Sequence, residues 1–134
     1  MDWAENLNIA ETSKLVMDRN FSPLCGIPIN NSFAFGMKDG TLMIMSEDGK
    51  IRSVLKEHKA SICTLAILNM KGSEYLATGS DHGCSSIIIW NPSNWTVIQK
   101  FDNHSAAVTA ILDLKDDCHF LSGGYDKKIN IYSL

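Results

Sequence analysis

Short apolar runs, punctuated by Gly, Asn and Asp, recur along the chain, and nothing sustains the period of a long helix. The pattern predicts strands at Leu24–Ile29, Phe33–Met37, Thr41–Ser46 and Ile51–Leu55, then at Ser61–Leu68, Glu74–Gly79, Ser86–Trp90 and Trp95–Phe101. Three more are expected at Ala107–Leu112, His119–Gly123 and Ile129–Tyr132, after which the sequence stops. Asp39-Gly40 and Asp48-Gly49 are predicted tight turns, because Gly reaches positive φ at little steric cost. Ile87-Ile88-Ile89-Trp90 is apolar throughout, as expected of a strand covered on both faces.

The groups of strands repeat. Asp39, Asp81 and Asp126 stand 42 and 45 residues apart, and Met45, Trp90 and Tyr132 stand 45 and 42 apart. A period in the forties with four short strands per unit points to propeller blades. The last unit carries His104, Ser122, Asp126 and Tyr132; the middle unit carries His58, Thr78, Asp81 and Trp90; the first keeps Asp39-Gly40-Thr41.

At these residues the chain resembles the WD-repeat β-propeller family. The resemblance implies an all-β fold of antiparallel four-stranded blades, about three of them, in residues 24–57, 58–103 and 104–134. It also implies a hydrogen-bonded tetrad in each blade, linking a His before the first strand, a Ser or Thr, an Asp in the following turn and an aromatic donor. Carried over, the tetrads are His104, Ser122, Asp126 and Tyr132 in the last unit, with Tyr in place of Trp, and His58, Thr78, Asp81 and Trp90 in the middle one. Asp81 lies one residue nearer its Thr than Asp126 lies to its Ser, and three residues further from its aromatic, so the turn from Asp81 to Ser86 is remodelled. In the first unit Phe35 and Met45 occupy the hydroxyl and aromatic positions, and packing must hold that blade. Such a tetrad fixes strand register, because buried polar atoms are costly unless paired.

Composition fits an ordered domain: 134 residues, 45% hydrophobic, 20% charged, with a formal net charge of -3. The mild negative balance, with no basic stripe, argues against a nucleic-acid partner. No apolar run approaches a membrane span, and the N-terminal segment is polar and acidic, unlike a secretory signal. A cytoplasmic location is the expectation, the nucleus remaining open. The sequons at Asn20, Asn30, Asn94 and Asn103 then read as chance, and Cys25, Cys63, Cys84 and Cys118, with no close-paired spacing, as reduced thiols.

Rival chemistry is weak. Ser80-Asp81-His82 contains the residues of a hydrolase triad, but neighbours in one tight turn cannot orient one another as a spatial relay. His82 with Cys84, or Cys118 with His119, falls short of the four convergent ligands of a structural zinc. No phosphate loop or dinucleotide motif appears, so neither a cofactor nor catalysis is expected.

Three blades do not close a ring of the usual four to eight. Both flanks of such an arc are expected to be apolar and open, and to be covered by a second copy in a six-bladed dimer, by a larger assembly, or by further blades of a longer chain. Residues 12–17, around Ser13–Met17, are the expected donor of a closing strand, and residues 1–11 an N-terminal arm. Proteins of the resembled family are mostly platforms for protein or peptide partners. The resemblance puts Lys38, Lys59, His82, Ser105 and Tyr125 at the tetrad end as candidate contacts, with Tyr125 foremost because an amphipathic aromatic gives contact area at low entropy cost.

Overall fold

The computed structural model describes residues 22–81 and 86–134, which form eleven β-strands. Expectations for residues 1–11 and 12–17, and for His82 and Cys84, lie outside the described residues. The first antiparallel sheet comprises β1 (Pro23–Ile29), β2 (Ser32–Met37), β3 (Thr41–Ser46) and β4 (Ile51–Lys56) in sequence order. The second comprises β5 (Ile62–Met70), β6 (Ser73–Ser80), β7 (Ile87–Asn91) and β8 (Thr96–Phe101), and the third β9 (Val108–Asp113), β10 (His119–Gly124) and β11 (Ile129–Ser133). Each strand pairs with its sequence neighbour, so every sheet is a meander, and β11 is the outer edge of the third.

Nearly every strand lies within a residue or two of where the apolar pattern puts it. Gly40 and Gly49 take φ of 91° and 84°, and the preceding carboxylates, Asp39 and Asp48, accept hydrogen bonds from the amides of Thr41 and Lys50. At Gly40 a side chain would also collide, since an added Cβ would stand 2.6 Å from the carbonyl oxygen of His58. Two departures share one cause. The β5–β6 hairpin runs longer than expected because Lys71 and Gly72, at φ 50° and 77°, make a two-residue turn, and β8 starts at Thr96 because Trp95 sits at φ 56°. A lysine or tryptophan in the left-handed region leaves no composition signal.

The apolar core lies between the sheets. Ile29, Ala34, Leu42 and Ile44 of the first pack against Ile62, Leu76, Ile88 and Trp90 of the second. Across the second seam, Leu68, Met70, Ala77, Ile87 and Ile89 meet Val108, Ile111, Phe120 and Tyr132. Phe101 completes this seam, with ring centroids 5.9 Å from Phe120 and 4.6 Å from Tyr132. Contact of both faces explains why β7 is apolar at four successive positions.

The two ends of the stack differ, which corrects the expectation of two open flanks. On the first sheet Met37, Met43 and Met45 cluster with Phe35 and are 0%, 1% and 8% exposed. On the third sheet Leu112, Ile129 and Ile131 are 59%, 75% and 67% exposed. Registers Leu121↔Leu112, Leu121↔Ile131 and Gly123↔Ile129 set these side chains on one face, where Leu112, Leu121 and Ile129 line a shallow apolar cavity of about 150 Å³ with Ala110. Leu121, Ile129 and Ile131 occupy the ladder positions that Ala77, Ile87 and Ile89 occupy in the second sheet.

Candidate protein-interaction site

Turns alternate between two ends of the sheets. The β2–β3 and β10–β11 turns, with the segments entering β5 and β9, lie at one end; the β1–β2, β3–β4, β5–β6, β7–β8 and β9–β10 turns lie at the other, the base. Both buried histidines stand at the first end.

In the third sheet His104 Nδ1 lies 3.0 Å from each oxygen of Asp126, and Nε2 lies 2.6 Å from Ser122 Oγ. Ser122 Oγ is 3.2 Å from the Tyr132 hydroxyl, and Asn130 Nδ2 is 3.2 Å from His104 Nε2. An ionised carboxylate only accepts, so Nδ1 carries the proton and Asp126 sets the tautomer. Asp126 also accepts hydrogen bonds from the amides of Ser105 (3.0 Å) and Lys128 (3.2 Å), tying two segments together. Burial pushes the Asp126 carboxyl up, but hydrogen bonds from His104, Ser105 and Lys128 outweigh it, and its pKa is lowered. Gly124 leaves room for this cluster, since a Cβ there would stand 2.8 Å from the Ala107 oxygen and 2.9 Å from His104 Nδ1.

The second sheet runs the same chain with a different end. Trp90 Nε1 donates to Thr78 Oγ1 at 2.9 Å, and Thr78 Oγ1 lies 2.6 Å from His58 Nε2. Beyond the ring, at 3.3 Å from Nδ1, stands Ser86 Oγ. A serine hydroxyl thus faces His58 where a carboxylate faces His104. The Asp81 amide donates to the Ser61 oxygen at 2.6 Å. Burial, with Lys100 adding to it and Glu57 opposing, lowers the His58 pKa from 6.5 to about 4, so the ring is neutral at physiological pH. In the first sheet Phe35 and Met45 stand at the positions of Thr78 and Trp90, and methionine packing replaces the polar chain.

Of the candidate contacts, Lys38, Lys59, Ser105 and Tyr125 are exposed at this end. Lys38 is held by its amide on Ser22 and its carbonyl under the Ser61 hydroxyl. Tyr125 projects a side chain 76% exposed, while its amide donates to the Ala107 oxygen at 3.0 Å. An aromatic ring on an immobilised backbone suits recognition, because little freedom is lost when a partner covers it.

Among the described residues no cluster of three or more potential metal ligands occurs, and no helix is long and apolar enough to cross a membrane. Cys25, Cys63 and Cys118 are free thiols, and burial raises the Cys63 pKa to about 11, leaving a poor nucleophile. Ser80 is fully buried on β6, its hydroxyl donating to the Ser86 carbonyl oxygen at 3.4 Å.

Four-stranded antiparallel meanders stacked face to face, braced from a loop histidine through a hydroxyl to a third-strand aromatic, define a set of β-propeller blades. The sequence matches the WD40 family, described as WD domain, G-beta repeat, over residues 49–91 and 95–133. The chain belongs to this family. Over 101 residues, 75% of its length, it is 34% identical to F-box-like/WD repeat-containing protein TBL1X of Mus musculus, and over the same share 33% identical to TBL1Y of Homo sapiens. It spans only 18% of the length of either relative. In fold it is similar to a chain in the crystal structure of the mitotic checkpoint complex, with a TM-score of 0.72 at 20% identity, covering 87% of this chain and 35% of that one. It is similar also to the RRP9 WD40 repeats, with a TM-score of 0.74 at 17% identity, covering 90% of this chain and 38% of the other.

Proposed function

We propose that the chain is a non-catalytic, intracellular protein-interaction platform that presents its tetrad-end turns to a protein or peptide partner. One observation carries the reading: Tyr125, 76% exposed, sits on a backbone clamped from both sides by Ala107 and by the Asp126 network. Membership of a family of interaction scaffolds supports it. The partner is expected to cover Tyr125 and to extend along the same end towards Ser105, Lys59 and Lys38. Quantitative co-purification tests this. Tyr125→Ala should reduce recovery of the bound protein about tenfold, whereas Ile98→Ala, on exposed β8, should leave it unchanged. Equal losses in both variants would refute a site at Tyr125.

The open face of the third sheet favours a second reading, in which the chain is a structural part of a larger ring or assembly. Leu112, Ile129 and Ile131 repeat the aliphatic surface that receives Phe120 and Tyr132 at the neighbouring seam, so a further sheet carrying an aromatic side chain fits there. A six-bladed ring of two copies would require the methionine face of the first sheet as that surface's counterpart, and this face is already buried in the single chain. Solution mass by light scattering discriminates: a stable dimer supports the ring of two copies, and a monomer supports coverage by other blades.

A further inference from the structure

At the base, opposite the tetrad end, the two seams are built differently. Between the second and third sheets the base is closed: Asp113 accepts the Asn69 amide at 2.9 Å, and the Lys71 amide donates to the Asp117 oxygen at 3.2 Å. Between the first and second sheets one side-chain bridge crosses, from Asn30 Nδ2 to the Pro92 oxygen at 3.2 Å. Adjoining cavities of about 280 and 290 Å³ share Asn30 and Glu74 in the groove there.

The lining selects the occupant. Pro28, Phe33 and Ile67 supply apolar surface, Phe33 being 38% exposed, and Glu47 and Glu74 supply two carboxylates from different sheets. The ion pairs of the described residues join Arg52 to Asp48, Lys100 to Glu57, His104 to Asp126 and His119 to Asp116, so none neutralises Glu47 or Glu74. Each cavity falls just short of the roughly 300 Å³ at which pockets for drug-sized molecules begin, a size that suits one long side chain. An alkyl stem against Phe33 and Ile67, ending in a cation between two acids, meets every feature of the lining. A planar guanidinium meets them better than an ammonium, because it can stack on an aromatic face while offering donors in several directions.

We propose that this groove is a receptor for an arginine side chain carried on an extended segment of a partner protein. It is separate from the surface around Tyr125 and stands or falls independently of it. The test is fluorescence anisotropy on the full chain, using a labelled peptide with one arginine in an alanine–glycine background and its citrulline counterpart, which keeps the shape and removes the charge. The arginine peptide should bind saturably and about tenfold more tightly than the citrulline peptide, with affinity falling as salt rises. Glu47→Gln and Glu74→Gln should each weaken binding several-fold without lowering Tm, both carboxylates being exposed, and Phe33→Ala should weaken it further. Tyr125→Ala should bind the peptide as the unaltered chain does. Equal affinity for the two peptides, no saturable binding, or indifference to the Gln substitutions overturns the proposal. Loss of peptide binding in Tyr125→Ala overturns its location.

Discussion

The second and third sheets carry the same polar chain on opposite electrostatic terms. His58 ends on a hydroxyl, is buried, and has its pKa lowered to about 4; His104 ends on Asp126, whose carboxylate also gathers two backbone amides. In the second sheet the His58 ring is neutral at physiological pH and the network is a neutral brace. In the third, a charged residue couples the brace to the turn that displays Tyr125. One family feature thus serves two ends, strand register in the middle of the stack and surface geometry at its rim.

The largest way to break the comparison is Trp90→Ala, which opens a cavity inside the first seam and should cost about 3–5 kcal/mol in denaturant unfolding. Tyr132→Ala, at the seam nearer the open face, should cost visibly less; equal losses would mean that the two seams are equivalent. Acid separates the networks next. The folded His58 pKa lies below its ordinary 6.5, so the unfolded chain takes up the proton first and stability is lost as pH falls from about 6.5 to 4. The loss should approach 3 kcal/mol, following from about 1.4 kcal/mol for each pKa unit. Asp126, with its pKa lowered from 3.8, acts elsewhere: its contribution is present above that value and is lost only as pH falls below it. Unfolding measured across this pH range should therefore show two separate declines, and His58→Asn should abolish the upper one.

Thr78→Val should follow at about 1–3 kcal/mol, since it leaves the Trp90 indole and the His58 ring without their shared partner. Gly124→Ala should distort the Tyr125 turn through the contacts a Cβ would make with Ala107 and His104, lowering Tm and partner binding together. The smallest and sharpest test is Ser86→Asp, which gives His58 the carboxylate that His104 has. It should raise the His58 pKa and flatten the upper acid decline, with little change in stability at neutral pH.

Strands and turns were legible because short apolar runs and Asp-Gly pairs are local signals. The third-sheet residues His104, Ser122, Asp126 and Tyr132 were legible because their spacing repeats. Ser86 was not, since its link to His58 crosses 28 residues. Asn130 beside His104 escaped for the same reason. The base groove left no trace, because its lining comes from Pro28 to Phe33, from Glu47, and from Ile67 and Glu74, which meet only once two sheets are packed. The open third-sheet face was foreseen, but the buried methionines of the first sheet were not, because the pattern of a strand does not say which of its faces is covered.

Both large apolar clusters draw their members from two sheets, so the cooperative unit they define is the seam. Coupling then runs between neighbours along one dimension, and the second sheet, which belongs to both seams, is the last to open. Amide exchange should be slowest in β6 and β7 and fastest in β11, giving a gradient of protection from the middle of the stack to β11, an edge strand among the described residues.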